Sequence, residues 1–158
     1  MSEPNVCNVA RYIVQKLGSM TSMKLQKLVY YCQAWSLAWV GIPLFPEEFE
    51  AWENGTVCYE LWEKHSDLFI VDEQFLSDYS YNQLNECQLE TINTVLDAYS
   101  TETPLQLSSR VKSERPWVET RAKMIEEGAS FEMVIDKAIM QEYYASKILV
   151  NENDNETD

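Results

Sequence analysis

His65 is the single histidine of this 158-residue chain, and Cys58 stands seven residues before it. A thiol and an imidazole in contact can serve as nucleophile and base. On one helix, however, seven residues span about 10 Å along the axis, too far for a hydrogen bond. One histidine also cannot build a zinc site that needs two. The cysteines Cys7, Cys32, Cys58 and Cys87 contain no CxxC pair. Their spread reads as reduced, mostly buried thiols rather than a disulfide framework or zinc knuckle. No glycine-rich phosphate loop occurs, and no serine carries a nucleophile-elbow flank. The carboxylate pairs Glu47/Glu48 and Glu126/Glu127 are ordinary for an acidic surface. The sequence thus predicts no catalytic set, no cofactor and no metal.

Charge is the stronger signal. Twelve bases face 26 acids, for a formal charge of −14. Between residues 28 and 109 Lys64 is the lone base against fourteen acids. From 110 to 123 the balance reverses, with Arg110, Lys112, Arg115, Arg121 and Lys123 against Glu114 and Glu119. Two arrangements fit: the basic segment lies across the acidic middle and neutralises it, or an acidic surface faces a basic protein partner. Direct nucleic-acid binding through a basic face is excluded. Apolar runs stop short of the roughly 18–20 residues a membrane helix needs, and the thiols suit the cytoplasm.

The elements that must position these groups read as helices, since Gly and Pro are scarce and alternating Val/Ile runs are few. Residues 1–6 read as frayed. A first helix is predicted over Val6–Leu17, ended by Gly18. Thr21 or Ser22 caps a second, running to about Val40, whose stripe Leu25, Leu28, Cys32, Trp35 and Trp39 is widened until only Gln26, Gln33 and Ser36 mark a wet edge. This is the expected central helix. Pro43 and Pro46 mark a loop, and Asn54-Gly55 a hairpin-like turn near 48–58. A short helix is expected to His65, and a short strand at 68–71. Ser80 with Gln83 predicts a helix from Tyr81 to about Tyr99, and Thr103-Pro104 with Gln106 another over 104–113. Pro116 should start a turn to Arg121. Ser130 should cap a helix over 131–148, with the helical repeat Phe131, Val134, Ile135, Ala138, Ile139 and Ile148 inward. The expectation is one compact, mainly α domain over 1–150 and a disordered acidic tail at 151–158.

Lys24 and Lys27 stand out at the start of the central helix, where cations oppose the dipole. Pairing with the acids of 47–53 would resolve this. The prediction is that reversing both charges leaves the fold intact and weakens partner binding.

The blocks "LQKLVYYCQAW", "GIPLFPEEFEAWENGTV" and "SERPW" resemble the Panacea family, also called SocA/GepA-like. The match rests on Leu25–Tyr31, Gly41–Phe45, Glu50–Trp52 with Gly55 and Val57, and Glu114 with Pro116-Trp117. Thr56 and Cys58 depart from the family's usual turn residues. The resemblance implies a helical domain of prophages and mobile elements that acts as an antitoxin by binding a toxin protein. It also implies, for one type, delivery of the toxin to a AAA+ protease. A second reading is a phage-encoded inhibitor of a host nucleic-acid-binding defence protein, acting by acidic mimicry. The expected partner is a protein with a basic surface, and a homodimer stays open. The residues assigned to partner binding are Lys24, Gln26, Lys27, Glu50, Trp52, Gly55, Arg115 and Trp117.

Overall fold

In the computed structural model the backbone is described for residues 3–156 and the side chains for 3–148. Helix α1 (Val6–Leu17) starts from Asn5, whose side chain accepts from the Asn8 amide while Asn8 accepts from the Asn5 amide. The predicted fraying of residues 1–6 is therefore corrected for Asn5 and Val6; Val6 is buried and donates its amide to Glu47. Met1 and Ser2 lie outside the described residues. After β1 (Met20–Thr21), Thr21 caps α2 (Ser22–Trp39) by accepting from the Lys24 amide.

Strands β2 (Glu50–Trp52) and β3 (Gly55–Val57) form the predicted hairpin, paired Glu50 to Val57 and Trp52 to Gly55. Helix α3 (Tyr59–His65) follows, then β4 (Ile70–Val71), antiparallel to β1. Helix α4 (Glu86–Tyr99) begins five residues later than expected. Ser80 instead closes a tight turn on the Asn82 amide, and the capping box is made by Asn85 and Gln88. Thr103, Pro104 and Gln106 start α5 (Pro104–Lys112) as predicted. Helix α6 (Arg115–Glu127) continues past Arg121 because Thr120 and Met124 face the interior, and it stops at left-handed Gly128.

The largest correction is at the end. Helix α7 (Lys137–Glu156) does not start at Ser130. Residues 133–135 are extended along the outer edge of β2. The Ala51 amide donates to Met133 and the Ile135 amide to Phe49, bridging Glu50 to Val134. A helix there would leave that edge of the hairpin open. Phe131, Val134 and Ala138, expected inward, are accordingly exposed. The tail assigned to 151–158 starts within the bounds of α7 and ends beyond them; its side chains lie outside the described residues.

Helix α2 is the centre, packed chiefly on α7 and α4 with α1, α5 and the hairpin around it. Its predicted wet edge does not exist: Gln26 and Gln33 are fully buried and Ser36 nearly so. Its last turn is the most exposed, with Trp39 43% exposed, and its first turn is half-buried at Met23 and Lys24. Buried amides in a core must find partners, and these hold the surrounding loops. Gln33 accepts from the amides of Leu44 and Phe45 and donates to the Phe45 carbonyl, while Ser36 donates to the Ile42 carbonyl. The Pro43–Pro46 loop is thereby pinned to α2. The chain is mainly α, and no helix among the described residues is long and apolar enough to cross a membrane.

Candidate functional site

Three of the assigned residues, Gln26, Lys27 and Gly55, are buried where α2 meets the hairpin. Both ends of the Gln26 amide are hydrogen-bonded. Its Oε1 accepts from the Cys58 amide at 2.9 Å, and its Nε2 donates to the Cys58 carbonyl and to His65 Nε2 at 2.9 Å. The acceptor role of Oε1 fixes the amide, so His65 Nε2 must accept and Nδ1 must carry the ring proton. That Nδ1 has no partner among the described residues. A second ring proton would point at the Gln26 NH2 group, and burial, followed by the nearby Lys27 charge, lowers the His65 pKa. Gln26 thus stands between Cys58 and His65. The Cys58 thiol donates to Glu60 and is pushed up to about 12, chiefly by burial. A thiolate with an imidazolium beside it is not what this geometry holds.

Lys27 overturns the predicted pairing. It is 1% exposed and reaches no acid; its Nζ donates to the Thr56 carbonyl at 3.1 Å. Burial lowers its pKa to about 8. Gly55 makes room for it, because a Cβ at Gly55, whose φ is +130°, would stand 2.5 Å from Lys27 Cε. The side-chain hydroxyl of Thr56 is buried without a partner. Lys24 is half-buried and donates to the Ser100 carbonyl at 2.6 Å, not to the acids of 47–53. Those acids go elsewhere: Glu47 to the Val6 amide, Glu48 to Lys137, Glu50 to the Trp52 indole. Reversing Lys27 would bury a carboxylate, so the expectation that the double charge reversal leaves the fold intact is withdrawn.

The late block closes the assembly. Trp117 Nε1 donates to the Trp52 carbonyl at 2.8 Å, and Arg121 donates to the Ala51 carbonyl and to Glu132. Glu114 accepts from the Tyr31 hydroxyl at 2.7 Å and from that of Tyr144 at 2.8 Å, and the Tyr30 hydroxyl lies 3.2 Å from Tyr144. Burial raises the Glu114 pKa, and the two hydroxyls pull it part of the way back. Tyr31 also stacks on Tyr99, with centroids 4.2 Å apart. Sequence reading missed Glu114, Tyr31 and Tyr144 as a unit. The tyrosines come from helices far apart in the chain, so no local signal joins them to Glu114.

Of the assigned residues, Gln26, Lys27 and Gly55 are interior. Glu50, Trp52 and Trp117 are half-buried at the hairpin, Lys24 is half-buried against Ser100, and Arg115 faces outward to pair with Glu119 and Glu142. The basic segment does not neutralise the acidic middle. Its one ion pair there is Arg110 with Glu102, and its other pairs are with acids beyond residue 109. Among the described residues no group of three His, Cys, Asp or Glu side chains is placed to hold a metal ion.

The family model described as "Antitoxin SocA-like, Panacea domain" matches residues 25–118, more than half of the chain. No curated protein and no solved structure matches it. The matched span opens on α2, includes the hairpin and closes on the Glu114–Trp117 block, the three parts fastened together above. The chain belongs to the SocA-like Panacea antitoxin family.

Proposed function

We propose that this protein is a non-catalytic, cytoplasmic antitoxin that neutralises a toxin protein by direct binding. Family membership carries the reading. The acidic middle of the chain supports it. Only Glu48 and Glu102 of its fourteen acids meet a cation in an ion pair among the described residues. That potential suits a partner with a basic surface and speeds its capture. Lys24, Glu50, Trp52, Arg115 and Trp117, the assigned residues that are not buried, are proposed as partner contacts. Gln26, Lys27 and Gly55 act behind them as supports.

The test is co-expression with a neighbouring small reading frame that arrests growth alone. Restored growth, with the two proteins co-eluting as one complex, is the expected result. Arrest that persists despite soluble expression of this chain would sink the reading. The unpaired acids also suit a second reading, mimicry of nucleic acid toward a basic defence protein. There the complex should be displaced by DNA or RNA competitor, whereas a toxin captured through other surfaces should resist it. Loss of the co-expressed partner only in cells with an intact AAA+ protease would instead indicate delivery for degradation.

A further inference from the structure

Three adjoining cavities run between the C-terminal end of α2 with its following loop and the outer side of α4. The first is lined by Trp39, Val40, Cys87, Glu90 and Thr94. The second shares Val40 and Cys87 with it and adds Ile42. The third continues from Ile42 along the proline loop to Pro4. Shared walls make them one groove. Trp39, Val40 and Ile42 are 43%, 41% and 60% exposed there, an apolar strip left open to water on a chain that is otherwise strongly acidic.

The rim is negative and nothing balances it. Glu86, Glu90 and Asp97 recur along the exposed side of α4, and none makes an ion pair among the described residues. Helix α4 contains no base, and neither does the last turn of α2, whose C-terminal dipole adds to the negative potential. Trp39 is held by stacking on Trp35 at 4.9 Å. An indole lining the same cavity as a carboxylate and a helix C-terminus is a favourable seat for a lysine or arginine.

We propose that this groove receives an amphipathic, lysine- or arginine-bearing helical segment of the partner protein. This deepens the antitoxin reading and rests on its premise of a basic partner. The segment's apolar face covers Trp39, Val40 and Ile42, and its cations meet Glu90 and its acidic neighbours. The stretch of α4 from Asn85 to Thr94 that lines the groove is about 14 Å long, enough for two to three turns of a docked helix with anchors at i, i+3 or i+4, and i+7.

Cys87 provides the readout, since it is exposed in the groove whereas Cys7, Cys32 and Cys58 are buried. The probe is a fluorescein-labelled leucine–lysine peptide of about 14 residues patterned as an amphipathic helix. A scrambled peptide of the same composition is the control. Fluorescence polarisation should show the amphipathic peptide binding about tenfold tighter than the control. It should slow alkylation of Cys87 by iodoacetamide by a similar factor. Trp39→Ala and Glu90→Lys, each checked for native circular dichroism, should abolish both effects, while Asp72→Lys, outside the groove, should not. Equal binding of the two peptides would overturn the proposal, as would tight binding that leaves Cys87 unprotected. Protection of Cys87 that grows with protein concentration alone would overturn it in favour of a second copy of this chain. Failure here leaves a stable toxin complex untouched, and failure of growth rescue leaves the peptide result standing, so the two readings fail separately.

Discussion

Replacing Lys27 with methionine should stabilise this protein near neutral pH and cease to do so in mild alkali. The methionine keeps most of the side-chain volume and removes the ammonium. Burial lowers the Lys27 pKa from 10.5 to about 8, which corresponds to about 3 kcal/mol of cost for holding the charged form in the fold. The substitution also removes the bond to the Thr56 carbonyl, a loss of about 1 kcal/mol. At pH 7 the variant should therefore be more stable by about 2 kcal/mol.

The pH dependence follows from the sign of the shift. Lys27 binds its proton less tightly in the folded state, so the cost is full below pH 8 and lifts as pH rises from 8 toward 10.5. Near pH 9.5 about 2 of the 3 kcal/mol has been relieved, and the variant's advantage should vanish. The thiols and tyrosines whose pKa values burial raises, among them Cys58, Tyr30 and Tyr144, destabilise wild type and variant alike as pH rises, and cancel in the difference. Urea unfolding followed by tryptophan fluorescence at pH 7, 8 and 9.5 measures that difference. A difference that stays flat with pH would refute the reasoning. So would a variant less stable than wild type at pH 7, since the ammonium would then be compensated by interactions beyond the Thr56 carbonyl.

Gly55→Ala places a Cβ 2.5 Å from Lys27 Cε at a φ of +130°. It should cost about 2 kcal/mol in urea unfolding, and combining it with Lys27→Ala should recover only the part due to contact. Glu114→Ala leaves the Tyr31 and Tyr144 hydroxyls without their acceptor and should cost about 3 kcal/mol. Glu114→Gln keeps an acceptor oxygen and should cost much less, and equal thermal shifts for the two would show that the hydroxyls do not depend on it. His65 titrates below its ordinary value in the fold, so its contribution is present above about pH 6.5 and is lost as pH falls. His65→Gln should therefore flatten the decline in stability between pH 7 and pH 5 relative to wild type, as read from melting temperatures.

The elements legible in the sequence were those whose signals are local. Asn54-Gly55 marked a hairpin turn, Thr103-Pro104 with Gln106 marked a helix start, and the apolar breadth of residues 25–37 marked the central helix; each is found where expected. The readings that failed depended on something remote. Residues 131–135 repeat with helical period, yet the open edge of β2, some eighty residues earlier, holds 133–135 extended. Ser80 and Gln83 have the spacing of a capping box, but Asn85 and Gln88 offer a competing one five residues on, and α4 starts there. Lys27 looked like a surface cation because lysine seldom enters a core. Its burial depends on Gly55 lacking a side chain, which the sequence could show only if the two positions were already known to meet.

The buried polar residues of α2 fasten the fold from within the chain's most recognisable block. Gln26 holds Cys58 and His65, Lys27 holds Thr56, Tyr31 holds Glu114, Gln33 holds the 44–45 backbone and Ser36 holds Ile42. These bonds join the central helix to the loop that follows it, to the hairpin and α3, and to the start of α6, and Trp117 ties α6 to the hairpin through Trp52. A buried polar group must be matched in direction as well as in distance, so these side chains fix how the loop after α2, the hairpin, α3 and the start of α6 seat on α2. Side chains committed inward in this way cannot also recognise a partner. In the function proposed above, recognition falls to what the scaffold leaves outside: the uncompensated acids of the middle of the chain, the open strip at Trp39, and the half-buried rim of the hairpin. Substitutions in these positions should alter which protein is bound with little effect on stability, and substitutions in the α2 fasteners should do the reverse.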